Sequence, residues 1–480
     1  MSLNRHIAVI GGGLTGLSSA FHLSRRFPDA SITLLEKHHR LGGWVRSERV
    51  DVGPSQQMIL EAGPRTIRPS AKSILELVYL LGLKDSLITV PRTAAAAQNK
   101  FLCIPEEGRI RPLPASISSL VTSPFRSILL SAILREPFRQ ANRAHGLTDE
   151  SFDSFMARRF GKDFARMFGS ALVHGIYAAD SRKLSVRAAF PLLWEAEERG
   201  WGSATLGLLR SMQEEDVVHY DMGHIPSTMN NVSVFSFRNG MSTLTDALKN
   251  YLTQQPNVQI LSGTSVTSLA VNGTEIQVTF VNNGILKPSH VVSTIPLPAL
   301  QLLLPSLPHL TANPSSSVTL INLVFPVPPN TFHPPGFGYL IPRPQDDYSS
   351  PTPGILGVIF DSCSLSSQDT PTTNNSFTKI TVMLGGPYSL TEDHTKIPVV
   401  ISQLEKHFGM RLPTPVITRT YHHEKCIPTL TPGHLDRMAE LKGALKSGTW
   451  RGRLEVIGAG VGGVSVADCV DAGKRVGSSW

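Results

Sequence analysis

The first 36 residues constrain the fold more than any other part of the chain. The short apolar run HIAVI (residues 6–10) leads straight into GGGLTG (residues 11–16). An amphipathic stretch follows, with Leu17, Ala20, Phe21 and Leu23 on its apolar side, and then a second apolar run, SITLL, that ends on Glu36. Strand, glycine turn, helix, strand and acid in this order predict a βαβ unit that cradles a pyrophosphate. Gly11 permits the tight turn, Gly13 lets the backbone approach a phosphate, and Gly16 lets helix and strand pack closely. Gly12, Leu14 and Thr15 complete the loop, and the helix N-terminus turns free N–H groups toward the phosphates. Glu36 stands 20 residues after Gly16, where a carboxylate takes both hydroxyls of an adenosine ribose, with Lys37 beside it. The bland alternative is a glycine-rich turn in some other α/β protein.

A second glycine-bearing element follows at once. In RLGGWVR (residues 40–46), two glycines, Trp44 and Arg46 come just past the ribose acid. This suits a second pass beside a pyrophosphate, where the planar fork of Arg46 neutralises charge. EAGPRT (residues 61–66) adds another such turn, with Gly63, Pro64, Arg65 and Thr66. Nicotinamide enzymes do not need these additions, so the pattern favours FAD. For Arg46 alone, the competing reading is a surface salt bridge.

A chain of 480 residues exceeds one ordinary core and predicts two or three domains. Hydrophobic residues at 41% and charged residues at 17% indicate a folded protein. A formal charge of +8 favours an anionic partner. The basic residues are dispersed, so a nucleic-acid arm is not expected. Cys103, Cys363, Cys426 and Cys469 lie far apart without a CxxC pair, which argues against a zinc site or a disulfide framework. The histidines show no HExxH spacing, and His422 and His423 read as a solvated pair; no metal is expected. No secretory signal is expected, because the first strand begins almost at once. No apolar run reaches the ~18 to 20 residues of a spanning helix, so any contact with a membrane is made from its surface.

Later blocks extend the pattern. They are LVHGIYAAD (residues 172–180) with KLS and FPLL, GFGYL (336–340), GILG (354–357), TVMLGG (381–386), CIP through Gly433-His434, and IGAGVGGVSVADC (457–469). Together with GGGLTGLSSAFHLSRR, LLEK, RLGGWVRS and EAGPRTIRP, they resemble the protoporphyrinogen oxidase family of FAD-dependent, monoamine-oxidase-like flavoproteins. The resemblance covers nearly the whole chain. It implies an α/β fold with a Rossmann-like FAD-binding domain of monoamine-oxidase type (residues 1–90, 230–300 and 450–480). It also implies an antiparallel-sheet substrate domain (91–114 and 305–449) and a helical membrane-binding domain (115–205).

The activity implied is oxidation of protoporphyrinogen IX to protoporphyrin IX, the penultimate step of haem synthesis. Six electrons pass through non-covalent FAD to oxygen, and hydrogen peroxide is released. Flavin N5 is the hydride acceptor, so no catalytic side chain is required. The resemblance assigns Val266 to adenine, and Gly463, Val464 and Ser465 to the closing flavin motif. It assigns Lys100 to a substrate propionate, where the family usually has arginine; lysine keeps the charge but loses the bidentate fork. Leu172, Gly338, Leu340, Ile359 and Met383 fall at positions lining the substrate slot, although each taken alone reads as plain core. The implied address is the intermembrane-space side of the mitochondrial inner membrane, and a ferrochelatase contact and a homodimer are left open. The chain departs from the family pattern at Ala179, where glycine is usual, and at Leu435, where an aromatic residue is usual beside the flavin.

Residues 115–201 read as largely helical. Ile117, Leu120, Val121, Phe125, Ile128, Leu129, Ile133 and Leu134 interleave with Arg126, Arg135 and Arg139. That is the pattern of an interfacial membrane helix, and equally of a core-facing helix pair; the resemblance favours the former. Residues 344–375, rich in Ser, Thr and Pro, read as a mobile loop insertion. Two other functions stay open: another flavin enzyme of the same superfamily, such as an amine oxidase or carotenoid desaturase, or a flavin- or porphyrin-binding membrane protein without turnover.

Overall fold

In the computed structural model, which describes residues 5–54, 56–139, 143–210, 218–349 and 353–480, the run His6–Ile10 is the middle strand of a five-stranded sheet. Its neighbours are His290–Ser293 and Ser31–Glu36, and the outer strands are Leu454–Val456 and Val258–Ser262. Every pair is parallel. Ile7, Ala8, Val9 and Ile10 are all buried, because helices cover one face of the sheet, and helices with the antiparallel strands Val266–Asn272 and Glu275–Phe280 cover the other.

The sheet draws strands from three distant parts of the chain, and the two ends meet directly. The helix Leu14–Arg26 crosses the last helix, Val466–Arg475. A Cβ on Gly16 would lie 1.8 Å from the carbonyl oxygen of Gly11, and one on Gly473 would lie 2.6 Å from Ser18 Oγ. Ser18 Oγ donates to the carbonyl of Val470 at 3.0 Å across the crossing. Leu17 and Phe21 are fully buried beside it, each worth about 1.5 to 3 kcal/mol of hydrophobic stabilisation.

The second sheet has seven strands, in the order Ile417–Pro428, Ser315–Phe325, Thr378–Gly385, Ile355–Ile359, Gly338–Leu340, Phe101–Ile104 and Arg109–Pro112. The sequence predicted an antiparallel sheet, but Gly338–Leu340 pairs parallel with Phe101–Ile104. These strands come from remote parts of the chain, so no hairpin turn imposes antiparallel pairing on them. Buried polar ties hold this sheet to the hairpin strand Gln56–Glu61. Lys379 Nζ donates to the Ile59 carbonyl at 2.8 Å and pairs with Asp369 at 2.9 Å. Asn322 Nδ2 donates to the Glu61 carbonyl at 3.1 Å.

Residues 353–375 are not the loop that their composition suggests; residues 350–352 of that expected loop lie outside the described residues. They hold the strand Ile355–Ile359 and the short helices Asp361–Ser364 and Pro371–Asn374. Gln368, Asp369 and Thr373 are buried. Gln368 Nε2 donates to the Phe237 carbonyl at 3.0 Å, and Asp369 takes Lys379.

The region 117–209 is a set of short helices. Arg126–Arg135 does not present all its apolar residues to one side. Phe125 and Ala132 are buried, and Ile128 and Leu129 pack against a cluster of Leu102, Phe125, Met167 and Ala171. Val121, Leu130, Ile133, Leu134 and Phe138 are exposed, Phe138 at 84%. The Ile117 side chain and residues 140–142 lie outside the described residues. Between the exposed residues, fully buried Glu136 accepts from Arg159, Ser203 and the backbone N–H of Ala204. Among the described residues, no helix is long and apolar enough to cross a membrane.

Candidate functional site

One cavity of about 2080 Å³ runs from the first glycine turn to the face of the seven-stranded sheet. At the turn, Gly12 N donates to Glu36 Oε2 at 2.7 Å, and His38 N donates to Glu36 Oε1 at 2.9 Å. These contacts fix the Glu36 carboxylate at the cavity wall. Gly42 N donates to the Gly12 carbonyl at 2.8 Å and brings the second glycine loop against the first. A Cβ on Gly13 would meet nothing nearer than Gly43 Cα, at 3.9 Å, so the turn opens toward the cavity. Gly43 itself has φ +58, a left-handed conformation that costs glycine little. Arg40 ties this loop down through the carbonyls of Leu41, Gly43 and Val45. Sequence reading passed over Arg40 in favour of Arg46, because a staple of carbonyls separated by two glycines has no linear signature.

Most of the cofactor residues expected from sequence line this cavity: Gly11, Gly13, Leu14, Thr15, Glu36, Lys37, Trp44, Arg46, Gly63, Pro64, Arg65, Thr66, Val266, Val464 and Ser465. Gly12, Gly16 and Gly463 do not. Gly12 stands behind Glu36, Gly16 lets the first helix pack on the Gly11 carbonyl at the end of the first strand, and a Cβ on Gly463 would lie 2.2 Å from Asp468 Oδ2. Ser465 and Asp468 form a reciprocal cap on the last helix, whose N-terminus reaches the cavity. Arg65 is buried and pairs with Asp361 at 2.8 Å. It therefore ties the segment after Gln56–Glu61 to the end of Ile355–Ile359 in the seven-stranded sheet.

Of the six expected substrate residues, the structure brings Ile359 and Met383 to the cavity, beside Ile176, Phe337 and Leu356. Leu172 is half exposed on the helix Ser170–Tyr177 and is not part of the lining. Leu340 lies behind Gly175, where a Cβ would come within 2.8 Å of Leu340 Cδ2. Gly338 is held in the ladder opposite Ile359. Lys100 is exposed and stands outside the lining; its carbonyl accepts from Leu113 N at 2.8 Å. The two departures also have places. Ala179 is buried just after the helix end, where Ala178 takes φ 47. Leu435 is 37% exposed and does not line the cavity.

His174, residues 420–423 and residues 425–428 also line the cavity; of the pair read as solvated, His422 is exposed, but His423 is half-buried between the Ala62 carbonyl and the Trp44 ring. His174 Nδ1 lies 2.7 Å from the Ile341 carbonyl, so Nδ1 carries the proton and donates. Nε2 then accepts from Tyr348 Oη at 3.0 Å. Burial pushes the His174 pKa down to about 4, and the ring stays neutral. Among the charged residues of the lining, Lys37, Arg40, Arg46, Arg65, Arg68 and Lys425 face only Glu36 and Asp468. Such an excess of cations suits the pyrophosphate of a dinucleotide plus further anionic groups.

The model of the flavin-containing amine oxidoreductases matches residues 14–477, and the chain belongs to that family. Protoporphyrinogen oxidase of Schizosaccharomyces pombe is 32% identical over 97% of this chain and 96% of its own length. Coproporphyrinogen III oxidase of Bacillus subtilis is 26% identical over 98% of this chain and 96% of its own length. A solved structure of a candidate protoporphyrinogen oxidase from Exiguobacterium sp. 255-15 superposes with a TM-score of 0.77 at 21% identity, covering 100% of this chain and 99% of that one. The chain is an enzyme of the protoporphyrinogen oxidase type. Its cofactor is FAD, which the open glycine turns, the Glu36 carboxylate and the cationic walls fit.

Two outcomes follow from this geometry. Glu36→Ala removes an acceptor at the ribose end and should weaken FAD retention by about 1 to 3 kcal/mol; flavin fluorescence released on dilution measures it, and unchanged occupancy would take Glu36 out of that role. His174 has a lower pKa folded than its ordinary value of 6.5, so the unfolded chain binds more protons between pH 6.5 and about 4. Its contribution to stability is full above pH 6.5 and is lost as pH falls through that window, on the order of 3 kcal/mol. His174→Gln should flatten the melting-temperature profile over that range relative to the parent.

Proposed function

We propose that the chain oxidises protoporphyrinogen IX to protoporphyrin IX, with six electrons passing in two-electron turns to oxygen and hydrogen peroxide as the by-product. The observation that carries this reading is the joining of a dinucleotide cradle and a broad apolar chamber in one cavity, with cations in excess. An apolar macrocycle with two carboxylates matches that combination. The 32% identity to a protoporphyrinogen oxidase over nearly the full length supports it.

When bound, FAD supplies the two-electron acceptor. The protein's own contribution is to bind and orient. Gly13, Gly43 and the ends of the first and last helices receive the pyrophosphate, and Glu36 receives the ribose. Ile176, Phe337, Leu356, Ile359 and Met383 form the apolar walls that hold the macrocycle and exclude water. His174, neutral and tied to Ile341 and Tyr348, fixes the chamber's edge without offering a charge. A related reading, with coproporphyrinogen III as substrate, is favoured by the Bacillus subtilis relative. Aerobic incubation with each porphyrinogen, followed by porphyrin fluorescence and peroxide release, should show faster turnover of protoporphyrinogen IX. Preference for the tetracarboxylate would reverse the assignment, and no turnover of either would remove it.

We also propose that the enzyme lies on a membrane surface, on the intermembrane-space face of the mitochondrial inner membrane as the family resemblance implies. Support comes from the exposed Val121, Ile133, Leu134 and Phe138, and from Trp201, Leu208 and Leu209, exposed at 80%, 56% and 77%. Ile133 and Leu134 are the residues to change, because Leu129 packs inward. Ile133→Asp with Leu134→Asp should move the protein from pelleted liposomes to the supernatant with its flavin spectrum intact. Equal pelleting of variant and parent would place the contact elsewhere.

A further inference from the structure

The strand Ile417–Pro428 is broken where it passes the cavity. Its ladder with Ser315–Phe325 pairs Ser316 with Ile427, and next pairs Val318 with His423. A single residue on one strand, Ser317, therefore faces Glu424, Lys425 and Cys426 on the other. Lys425 takes φ 47, a left-handed conformation that side-chain-bearing residues rarely adopt. The bulge is pinned: Lys425 N donates to Ser317 Oγ at 2.9 Å, and Gly386 N donates to the Ser317 carbonyl at 2.9 Å. Strained residues and bulges concentrate where a side chain must be re-aimed at a site. Here Lys425 and Cys426 line the cavity, while Glu424 stays outside the lining with its side chain 81% exposed.

The other cations of the cavity have work at the dinucleotide end. Arg40 is bonded to three carbonyls of its own loop, and Arg65 is paired with Asp361. Arg46 sits over the Tyr421 ring beside the glycine loops, and Lys37 follows the ribose acid. Arg68 lies just before Ala71, near Ser73, whose hydroxyl bonds the Ala467 carbonyl in the closing motif. Lys425 instead stands between His423, which pairs with Val318, and Cys426, which packs on the apolar cluster of Val318, Leu320 and Leu356. Among the described residues it has no acidic partner within ion-pair distance. Lys100, the cation indicated by sequence, does not reach the lining.

We infer that the β-bulge holding Lys425 in a left-handed conformation makes this lysine the anchor for a carboxylate of the tetrapyrrole substrate. This rests on the porphyrinogen reading above, and it names the residue that would distinguish an acidic macrocycle from a neutral apolar one. The lysine binds substrate and transition state alike, because it holds the rim of the macrocycle and not the carbon that loses hydride.

The test compares Lys425→Ala, Arg, Glu and Gly with the parent, each as FAD-loaded enzyme turning over protoporphyrinogen IX. The Ala variant should raise KM about fivefold with kcat nearly unchanged. The Arg variant should stay near the parent, and the Glu variant should exceed Ala. The Gly variant separates function from architecture: glycine accepts the left-handed conformation freely, so its melting temperature should hold or rise while its KM rises as in Ala. Lys100→Ala should leave KM in place. A KM unaltered in the Ala and Glu variants overturns the anchor while leaving the porphyrinogen reading intact. Loss of flavin or a shifted flavin spectrum in the Ala variant overturns it too, because Lys425 would then serve the cofactor. KM values that follow melting temperature instead of charge overturn it in favour of a structural bulge. If the parent itself fails to oxidise porphyrinogen, the functional reading falls first and the anchor with it.

Discussion

Everything in this molecule depends on the close crossing of its first and last helices. Gly473 lacks a side chain where a Cβ would collide with Ser18, and Ser18 bonds the Val470 carbonyl through the gap. That contact draws residues 454–475 onto a sheet begun at residue 6. It also places the capped N-terminus of Val466–Arg475 beside the glycine turn of the first helix. Two helix ends thus serve one phosphate-binding wall, although the chain between them is most of the protein.

The second sheet is fastened to this frame by buried polar contacts. Arg65–Asp361 and Lys379–Asp369 each lie almost wholly out of water. Removing one partner of such a pair costs about 3 to 5 kcal/mol, because the other charge is left uncompensated. Thr381 Oγ1 stands 2.6 Å from both Asp361 Oδ2 and Asn322 Oδ1, and Asn322 reaches the Glu61 carbonyl. The chain of contacts sets the apolar chamber against the dinucleotide cradle. A shift of either sheet would therefore change the cavity at its middle.

Local sequence was most informative where the chemistry is local. Glycines, caps and a ribose acid act within a few residues, and GGGLTG, RLGGWVR and EAGPRT carry them in plain order. It was least informative where a position depends on partners far along the chain. Ser, Thr and Pro in residues 353–375 signal a loop by composition, yet Asp369 is buried because Lys379 and the Ile59 N–H are waiting for it. Leu129 and Ile133 look alike in an amphipathic count, but only Leu129 has the cluster of Leu102, Phe125 and Met167 beneath it. Glu136 would be placed on a solvated face by any periodicity, and it is fully buried by Arg159, Ser203 and Ala204.

The sequence by itself determined the flavin-binding class of this protein, because pyrophosphate recognition by backbone N–H groups needs glycines at fixed short spacings, and those spacings survive in one dimension. Tertiary structure alone decided which cations face the substrate chamber. Lys100 precedes the apolar run FLCI and Lys425 follows the polar run HHE, and the family resemblance singled out Lys100. The ladder of Ile417–Pro428 against Ser315–Phe325 carries extra residues at one point only. That bulge brings Lys425 to the cavity lining, whereas Lys100, at the start of its strand, stays outside it. Side-chain direction in a sheet is set by register with a distant partner, and register is not written in either strand alone.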